Sequence, residues 1–91
     1  GKFKFKNWGK MRIKMELEKR KVSKKNIDFG INEINEEDYI KKLDELFQKC
    51  INKFKKYDKQ KMKKKIFDYL SYRGWEYDKI FNKIKELWKL I

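Results

Sequence analysis

Apolar residues recur every three or four positions along nearly the whole chain after Trp8. This spacing places the apolar side chains of each segment on one face of a helix. In chain order, the positions on these stripes are Ile13 and Leu17; Ile27, Ile31 and Ile34; Ile40, Leu43, Phe47, Cys50 and Phe54; Met62, Ile66 and Leu70; and Ile80, Ile84, Leu87 and Ile91. The chain contains no Pro, so no helix is broken internally by that residue. The pattern predicts an all-α fold without a sheet, with five helices over residues 10–20, 24–33, 36–56, 61–72 and 77–90.

Residue types at the predicted helix ends support these boundaries. Ser23 can cap the second helix, and Asn35 can cap the third. Residues 36–38 are all acidic, which suits the positive end of the dipole of the third helix. Gly74 stands where the fourth helix must stop, since glycine readily adopts the left-handed conformation found just after helix ends.

The chain also contains an internal repeat. When residues 9–34 are shifted forward by 53 positions, they align with residues 62–87 without a gap. The aligned pairs are Lys10 with Lys63, Ile13 with Ile66, Leu17 with Leu70, Arg20 with Arg73, Val22 with Trp75, Ile27 with Ile80, Ile31 with Ile84, Glu33 with Glu86 and Ile34 with Leu87. Helical periodicity alone accounts for some apolar matches, but both copies also place an arginine before a turn and an apolar residue after it. This indicates stacked helical repeats that share a continuous core and form an elongated helical array.

The composition excludes several classes of protein. With 91 residues, no His and one Cys, the chain has room for one small domain. It has no plausible zinc ligand set, no Ser-His-Asp or Cys-His pair and no internal disulfide. No apolar run approaches the about 20 residues of a membrane span, and the basic start lacks the apolar region of a signal peptide. These features favour a cytoplasmic protein without cofactor or metal, and they give no support for an enzyme.

The charge is strongly positive. Lys and Arg number 27 against 14 Asp and Glu, which gives a formal net charge of +13. Abundant Lys, Ile and Asn are typical of a compositionally biased genome, which explains part of this excess. Residues 1–34 sum to +7, residues 35–57 to +1 and residues 58–91 to +5. Such a field attracts polyanions, so we expect contact with nucleic acid, or with a protein bound to it, through the two flanking segments.

The turn motif leads to a resemblance. The stretch from Ile66 to Ile80, IFDYLSYRGWEYDKI, resembles the last repeat of the RecX family, in which a helix ends in Leu and an Arg-Gly-aromatic turn follows. The stretch from Asn35 to Cys50 resembles the third helix of the family's middle repeat. Further residues that resemble this middle repeat are Trp8, Gly9, Ile13, Leu17, Val22, Ser23 and Ile27. The chain departs from the family in two ways, because Lys21 stands where Gly is common and the first of three repeats is missing.

The resemblance implies a regulatory protein without catalytic activity of its own. RecX proteins bind the filament that the RecA recombinase forms on DNA, and they inhibit its ATPase, strand-exchange and coprotease activities. This links the family to recombination, DNA repair and the SOS response. The implied partners are the filament and, weakly and largely electrostatically, single- or double-stranded DNA. The resemblance also divides the chain into an arm from the lost repeat (1–8), a three-helix middle repeat (9–57) and two helices of the C-terminal repeat (58–91).

Several residues are candidates for contact with the recombinase or DNA. The basic residues on the first helix of each copy are Lys10, Arg12, Lys14, Lys63, Lys64 and Lys65; for the lysines, partner contact and simple solvation are equally supported. Arg20 and Arg73 could bridge a carboxylate or phosphate, although we favour a role in capping carbonyls at the helix ends. Tyr72 and Tyr77, together with Tyr69, cluster around the Arg73 turn and could contact a partner or simply cover the turn.

The aromatic residues near the start require a separate interpretation. Phe3 and Phe5 alternate with lysines, but a single short strand has no partner, so an extended arm is predicted. Phe3, Phe5 and Trp8 could stack on the bases of single-stranded DNA, or they could cover the apolar end left by the missing repeat, which we favour. We therefore expect the fragment to self-associate or to depend on this arm.

Core packing is the expected role of most of the other aromatic residues on or beside the stripes, which are Phe47, Phe54, Phe67, Trp75, Phe81 and Trp88. We also expect Cys50 to lie in the core. A small basic helical DNA-binding module, non-specific or of helix-turn-helix type, is the alternative function. Its recognition helix would offer Asn82 to bases, but Asp78 and Glu86 on the same helix repel phosphate. A membrane-surface protein is disfavoured, because the stripes have the character of a core.

Overall fold

A computed structural model of the chain describes residues 7–90, apart from the side chains of Trp88 and Leu90. It contains five helices over this range, namely α1 (Lys10–Lys19), α2 (Lys24–Asn32), α3 (Glu36–Phe54), α4 (Lys59–Tyr72) and α5 (Tyr77–Leu90). No strand is present between residues 7 and 90. The predicted all-α class is confirmed, and the predicted helix ends differ from the observed ones by at most two residues. The expected arm at Phe3 and Phe5 lies outside the described residues.

Side-chain caps set the starts of three helices. The hydroxyl of Ser23 accepts a hydrogen bond from the backbone N–H of Asn26 at 3.2 Å, and the side chain of Asn35 accepts one from the N–H of Asp38 at 3.0 Å. Both predicted caps are confirmed. Asp58 caps α4 in the same way, by accepting from the N–H of Lys61 at 2.9 Å. This cap was not predicted, and it explains why α4 begins two residues earlier than the apolar pattern indicates.

Helices α1 and α4 end with the same backbone geometry. The residue directly after each helix is an arginine, and its φ/ψ angles are −86°/8° at Arg20 and −87°/6° at Arg73. The residue that follows has a positive φ in both copies, 63° at Lys21 and 86° at Gly74. The left-handed position is thus occupied once by glycine, which adopts it without steric penalty, and once by lysine, which does not.

The hydrogen bonds of the two turns also correspond. The N–H of Val22 donates to the carbonyl of Leu17 at 3.1 Å, and the N–H of Trp75 donates to the carbonyl of Leu70 at 3.2 Å. This six-residue closure with a left-handed residue inside it is the Schellman motif. An apolar residue follows the left-handed position in each copy, and it is half-buried at Val22 and buried at Trp75. The internal repeat therefore extends to the local backbone structure of the turn.

The main core lies among α3, α4 and α5. Its buried residues are Tyr39, Leu43, Leu46, Phe47, Cys50, Ile66, Leu70, Trp75, Ile80 and Ile84. The α1–α2 hairpin adds Ile13 and Ile27, which are also buried. Ile27 and Ile80, which are equivalent in the repeat, both point inward as predicted.

One aromatic residue expected in the core is not there. Phe81 is 50% exposed, because it follows the buried Ile80 and lies about 100° away from it around the helix. Phe54 and Phe67 are partly buried against the core. Conversely, the apolar pattern did not identify Tyr39 and Leu46, which are buried.

The molecule is elongated. Its radius of gyration is 14.5 Å and it measures 44 × 23 × 21 Å, whereas a compact chain of this length has a radius of gyration of about 12 Å. Helix α1 packs on α2, α3 on α4 and α4 on α5, as expected for helices stacked in sequence. Among the described residues, no helix has both the length and the apolar character needed to cross a membrane.

Candidate interaction surface

The start of α1 docks against the turn between α4 and α5. The N–H of Gly9 donates to the carbonyl of Arg73 at 2.8 Å, and the N–H of Met11 donates to the carbonyl of Gly74 at 3.1 Å. These donors and acceptors lie at helix ends, where they have no partner within their own helix. The positive end of the α1 dipole therefore meets the negative end of the α4 dipole. We call this contact the α1–α4 joint.

Two glycines make the joint possible. A Cβ atom at Gly9 would lie 2.4 Å from the carbonyl oxygen of Gly74, and a Cβ atom at Gly74 would lie 2.2 Å from the backbone nitrogen of Arg12. Neither site has room for a side chain. The two backbones therefore touch directly, and this contact sets the direction in which α1 leaves the α4–α5 turn.

A buried pair of aromatic residues lies next to the joint and is hydrogen-bonded to the chain on either side of Gly9. Tyr39 and Trp75 are stacked with their ring centroids 4.6 Å apart. The hydroxyl of Tyr39 accepts a hydrogen bond from the N–H of Lys10 at 2.8 Å and donates to the carboxylate of Glu76. The indole N–H of Trp75 donates to the carbonyl of Asn7 at 3.2 Å. Burial, and then the hydrogen bond to Glu76, raise the pKa of Tyr39 above its ordinary value, so the phenol stays protonated.

A charged bridge closes the joint at the surface. The ammonium of Lys10 lies 3.1 Å from one carboxylate oxygen of Glu36, and that of Lys79 lies 3.4 Å from the other. The hydrogen bond between the Glu36 carboxylate and Lys10 is the main reason that the pKa of Glu36 is lowered. Lys10 also lies over the ring of Tyr39, 4.5 Å from its centroid. Lys10 was a candidate for partner contact, and the structure instead ties it into the joint.

Arg12 connects the joint to an exposed aromatic residue. Its guanidinium donates to the carbonyl of Tyr72 at 3.3 Å, and it lies 5.4 Å from the centroid of the Tyr72 ring and 4.9 Å from that of Trp8. Tyr72 is 72% exposed. Two candidates that are 60 residues apart in sequence are therefore neighbours at the solvent-facing edge of the joint.

The two turn arginines make different contacts. Arg73 donates to the carbonyl of Tyr69 at 3.3 Å and lies 3.7 Å from the centroid of its ring, which is the carbonyl contact expected at a helix end. Arg20 is exposed and lies 3.4 Å from the carboxylate of Glu16, one turn earlier. The equivalence of these positions thus holds for the backbone and not for the side-chain partners.

A group of aromatic rings at the α3–α4 turn carries several cations. The centroid of Phe54 lies 6.3 Å from those of both Tyr57 and Tyr69. Lys53 lies 5.3 Å from the Tyr69 centroid, and Lys65 lies 4.6 Å from the Tyr57 centroid. We call this group the α3–α4 cationic cluster. The ammonium groups lie over ring faces, and this cation–π attraction helps to hold them in place.

This cluster was only partly visible in the sequence. Lys65 was a candidate, but Lys53 and Tyr57 were not. The signal that was available is the run of lysines beside aromatic positions on both sides of the α3–α4 turn. It could not be used without knowing that the end of α3 packs on α4.

The remaining candidates are distributed over α1, α4 and α5. Lys14, Lys63 and Lys64 are exposed. The ring of Tyr77 packs on Phe67 with centroids 5.4 Å apart. Since Tyr72 faces Arg12 and Tyr69 carries Arg73, the expected single group of tyrosines around the Arg73 turn is instead three separate contacts. Between residues 7 and 90, no group of three or more Asp, Glu or Cys residues is placed to hold a metal ion.

Comparison with known proteins shows which family the sequence resembles. The sequence matches the family described as "RecX, third three-helix domain" over residues 36–84, from the first residue of α3 into α5. It is also 32% identical over 79 residues to the "Regulatory protein RecX" of Clostridioides difficile (strain 630). That alignment covers 84% of this chain and 37% of the relative, so the chain spans well under half of its length. No solved structure matches the chain.

Proposed function

The chain belongs to the RecX family, and from that membership we propose that it is part of a cytoplasmic regulator that binds the RecA recombinase filament on DNA. In this proposal it inhibits the ATPase, strand-exchange and coprotease activities of RecA and has no catalytic activity of its own. The observation that carries the proposal is the family match, which covers three consecutive packed helices.

The charge and shape of the molecule support this role. A net charge of +13 attracts a filament that contains DNA, and it speeds the encounter at low salt. A body 44 Å long is large enough to contact more than one site along such a filament. The α1–α4 joint also sets the direction of α1, so less conformational entropy is lost on binding than for a freely hinged hairpin.

Inhibition then follows from occupancy of the filament. A stiff scaffold bound along the filament resists any change in the spacing of the recombinase subunits that ATP hydrolysis requires. It also covers surface that a second DNA molecule or a protein substrate would need. The α1–α2 hairpin and the body formed by α3, α4 and α5 are the proposed contact units.

We assign different roles to the candidate residues. The exposed Lys14, Lys63 and Lys64 supply electrostatic attraction. Lys65, with Lys53, contacts DNA phosphates from the α3–α4 cationic cluster, while Arg73 holds the end of α4 through the carbonyl of Tyr69. Arg12 and Tyr72 are proposed to form a contact edge at the joint, and Lys10 holds the joint closed through Glu36. Arg20, at the far end of α1, and Tyr77, on α5, are proposed as separate contacts.

The proposal is tested by the ATPase activity of RecA on single-stranded DNA. The rate is measured with rising amounts of this chain and of its full-length parent protein. A decline in the rate, with co-sedimentation on the filament, is the expected result. Absence of both for the full-length protein would overturn the proposal.

Matched variants test the role of the cationic cluster. The double variant Lys53→Ala and Lys65→Ala should weaken binding to oligo(dT), and each lost phosphate contact should lower the slope of log affinity against log salt by about 0.7. The double variant Lys24→Ala and Lys25→Ala removes the same charge from exposed positions on α2 and serves as the control. Equal salt slopes for the two double variants would exclude a specific role of the cluster.

The α3–α4 cationic cluster also favours a second candidate function, that of a non-specific DNA-binding module. Base-specific reading by α5 has little support, because Ile80 and Ile84 are buried and the acidic Asp78 and Glu86 lie about one helical turn before and after Asn82. Competition with random duplex DNA separates non-specific from base-specific binding, since a specific complex resists the competitor by a large factor. Self-association of the fragment stays a prediction, to be checked by sedimentation.

A further inference from the structure

The exposed side of α4 and α5 carries a continuous aromatic strip. The ring of Phe67 contacts that of Tyr77, with centroids 5.4 Å apart, and stacks on that of Phe81 at 5.1 Å. Tyr77 is 57% exposed and Phe81 is 50% exposed. Contiguous exposed apolar surface of this kind marks interaction sites in soluble proteins.

Two rings of the strip, Phe67 and Phe81, line a depression between the two helices. Two adjoining cavities share Lys63, Phe81 and Ile84 in their walls, and one of them extends over Phe67. Together they form one depression bordered by α4 and α5, in which the apolar residues are Phe67, Phe81 and Ile84. We call it the α4–α5 groove.

The rim of the groove is basic. Its lysines are Lys61, Lys63 and Lys64 on α4 and Lys85 and Lys89 on α5. The acidic residues on the rim are Asp78 and Asp68, and Asp68 lies 3.6 Å from the ammonium of Lys64. The rim therefore has an excess of positive charge around an apolar floor.

The charge of the rim limits what can occupy the groove. A second copy of this chain would bring an equally basic surface against it, and like charges brought face to face oppose association. An occupant must offer apolar side chains to the floor and negative charge to the rim.

The shape of the groove favours a protein helix over nucleic acid. Single-stranded nucleic acid binds to aromatic residues by stacking its bases on open ring faces. Here the planes of Phe67 and Phe81 are only 25° apart, so the two rings cover one face of each other. An apolar groove between two helices is a common binding site for an amphipathic helix.

We propose that the α4–α5 groove binds an amphipathic helical segment of a partner protein, with its apolar residues on Phe81 and its flanking carboxylates on the lysine rim. The assignment of this segment to the recombinase, and not to the DNA, rests on the function proposed above. The chemistry of the segment, apolar with acidic flanks, rests on the groove alone.

The first test uses peptides and does not involve the recombinase. Two synthetic amphipathic helices share one leucine face, and carry either glutamates or lysines beside it. The glutamate peptide should bind the intact chain, and the lysine peptide should not. The variant Phe81→Ala should weaken binding of the glutamate peptide by about tenfold, as truncation of an aromatic anchor does.

Phe29→Ala is the matched control for this test, because Phe29 is 68% exposed and lies on α2. Circular dichroism confirms that both variants are folded. If the two variants bind the glutamate peptide equally, or if both peptides bind the intact chain with the same affinity, the proposal is overturned.

The second test identifies the partner by photocrosslinking. A p-benzoylphenylalanine replaces Phe81, or Phe29 as control, in the full-length protein bound to RecA filaments on oligo(dT). We expect position 81, and not position 29, to crosslink to the recombinase at a segment rich in apolar and acidic residues. Two results overturn the inference and leave the proposed function intact. Position 81 crosslinks to DNA, or it crosslinks to nothing while the protein still inhibits the ATPase. Loss of binding and inhibition by the unmodified protein would instead reject the proposed function.

Discussion

Single residues decide whether α1 can approach the α4–α5 turn. At Gly9 and Gly74 the backbones of two segments meet at distances that leave no space for a Cβ atom. Gly74 has a second constraint, because its φ of 86° is costly for any residue with a side chain. The equivalent residue in the first copy, Lys21, has the same left-handed backbone without such close packing.

We predict that Gly74→Ala lowers the free energy of unfolding by about 2–4 kcal/mol, since it adds left-handed strain to overpacking against Arg12. Urea unfolding followed by circular dichroism measures this change. Gly30→Ala is the control: no atom lies within 4 Å of its added Cβ, and it should stabilise α2 by about 0.5–1 kcal/mol. Similar effects of the two substitutions would contradict the packing of the joint.

The thiol of Cys50 should make stability depend on pH. Burial raises its pKa from an ordinary value of 9.0 to about 11, so the folded state holds the thiol proton more firmly than the unfolded state. The resulting stability is fully present below the ordinary thiol pKa, and it is lost as the pH rises through about 9 toward about 11. Urea unfolding of the wild type and of Cys50→Ala across this range should show a steeper decline for the wild type. Parallel curves would show that the thiol is exposed.

At the scale of helices, the ends are defined by local hydrogen bonds. The caps at Ser23, Asn35 and Asp58 each satisfy a backbone N–H that has no partner within its helix. The two Schellman turns do the same for carbonyls at the ends of α1 and α4. Because these bonds join residues at most five positions apart, each helix end is set largely by its own sequence.

We predict that Asp58→Ala destabilises the protein by about 1 kcal/mol, because it removes the cap of α4. Gln60→Ala, in the same first turn and exposed, should change stability by less than about 0.5 kcal/mol. Thermal unfolding of both variants measures the difference. An Asp58→Ala variant as stable as Gln60→Ala would mean that α4 does not depend on this cap.

At the scale of the whole molecule, stability is unevenly distributed. The main core is built from α3, α4 and α5, which is also where the family match lies. The α1–α2 hairpin buries little apolar surface and is attached to this body through the α1–α4 joint. The joint therefore couples a weaker unit to a stronger one.

Hydrogen exchange of the intact chain should reveal this difference. We expect the amides of α2 to exchange faster than those in the middle of α3 and α4, since regions with fewer buried contacts open at lower free energy. The amide of Met11, which donates across the joint, should exchange more slowly than other amides of α1. Uniform protection across all five helices would show that the chain opens only as a single unit.

The candidate surface could be predicted only in part. The basic residues were visible as types and positions, and Arg73 makes the capping contact that its position at a helix end indicates. The restraint on Lys10 by Glu36 and the half-exposure of Phe81 were not predicted. Both depend on the rotation of a helix about its axis and on the helix that packs against it. The spacing of apolar residues does not define either of these closely enough.

The sequence by itself determined the elements of this protein: five helices, the caps at Ser23 and Asn35, and the repeated turn before Val22 and Trp75. These features depend on interactions between residues a few positions apart, which the chain makes wherever it lies. Only the tertiary structure decided that Gly9 meets Gly74 and that aromatic rings line the α4–α5 groove. Such contacts join helices that are distant in the chain, and they depend on packing angles that no local interaction sets.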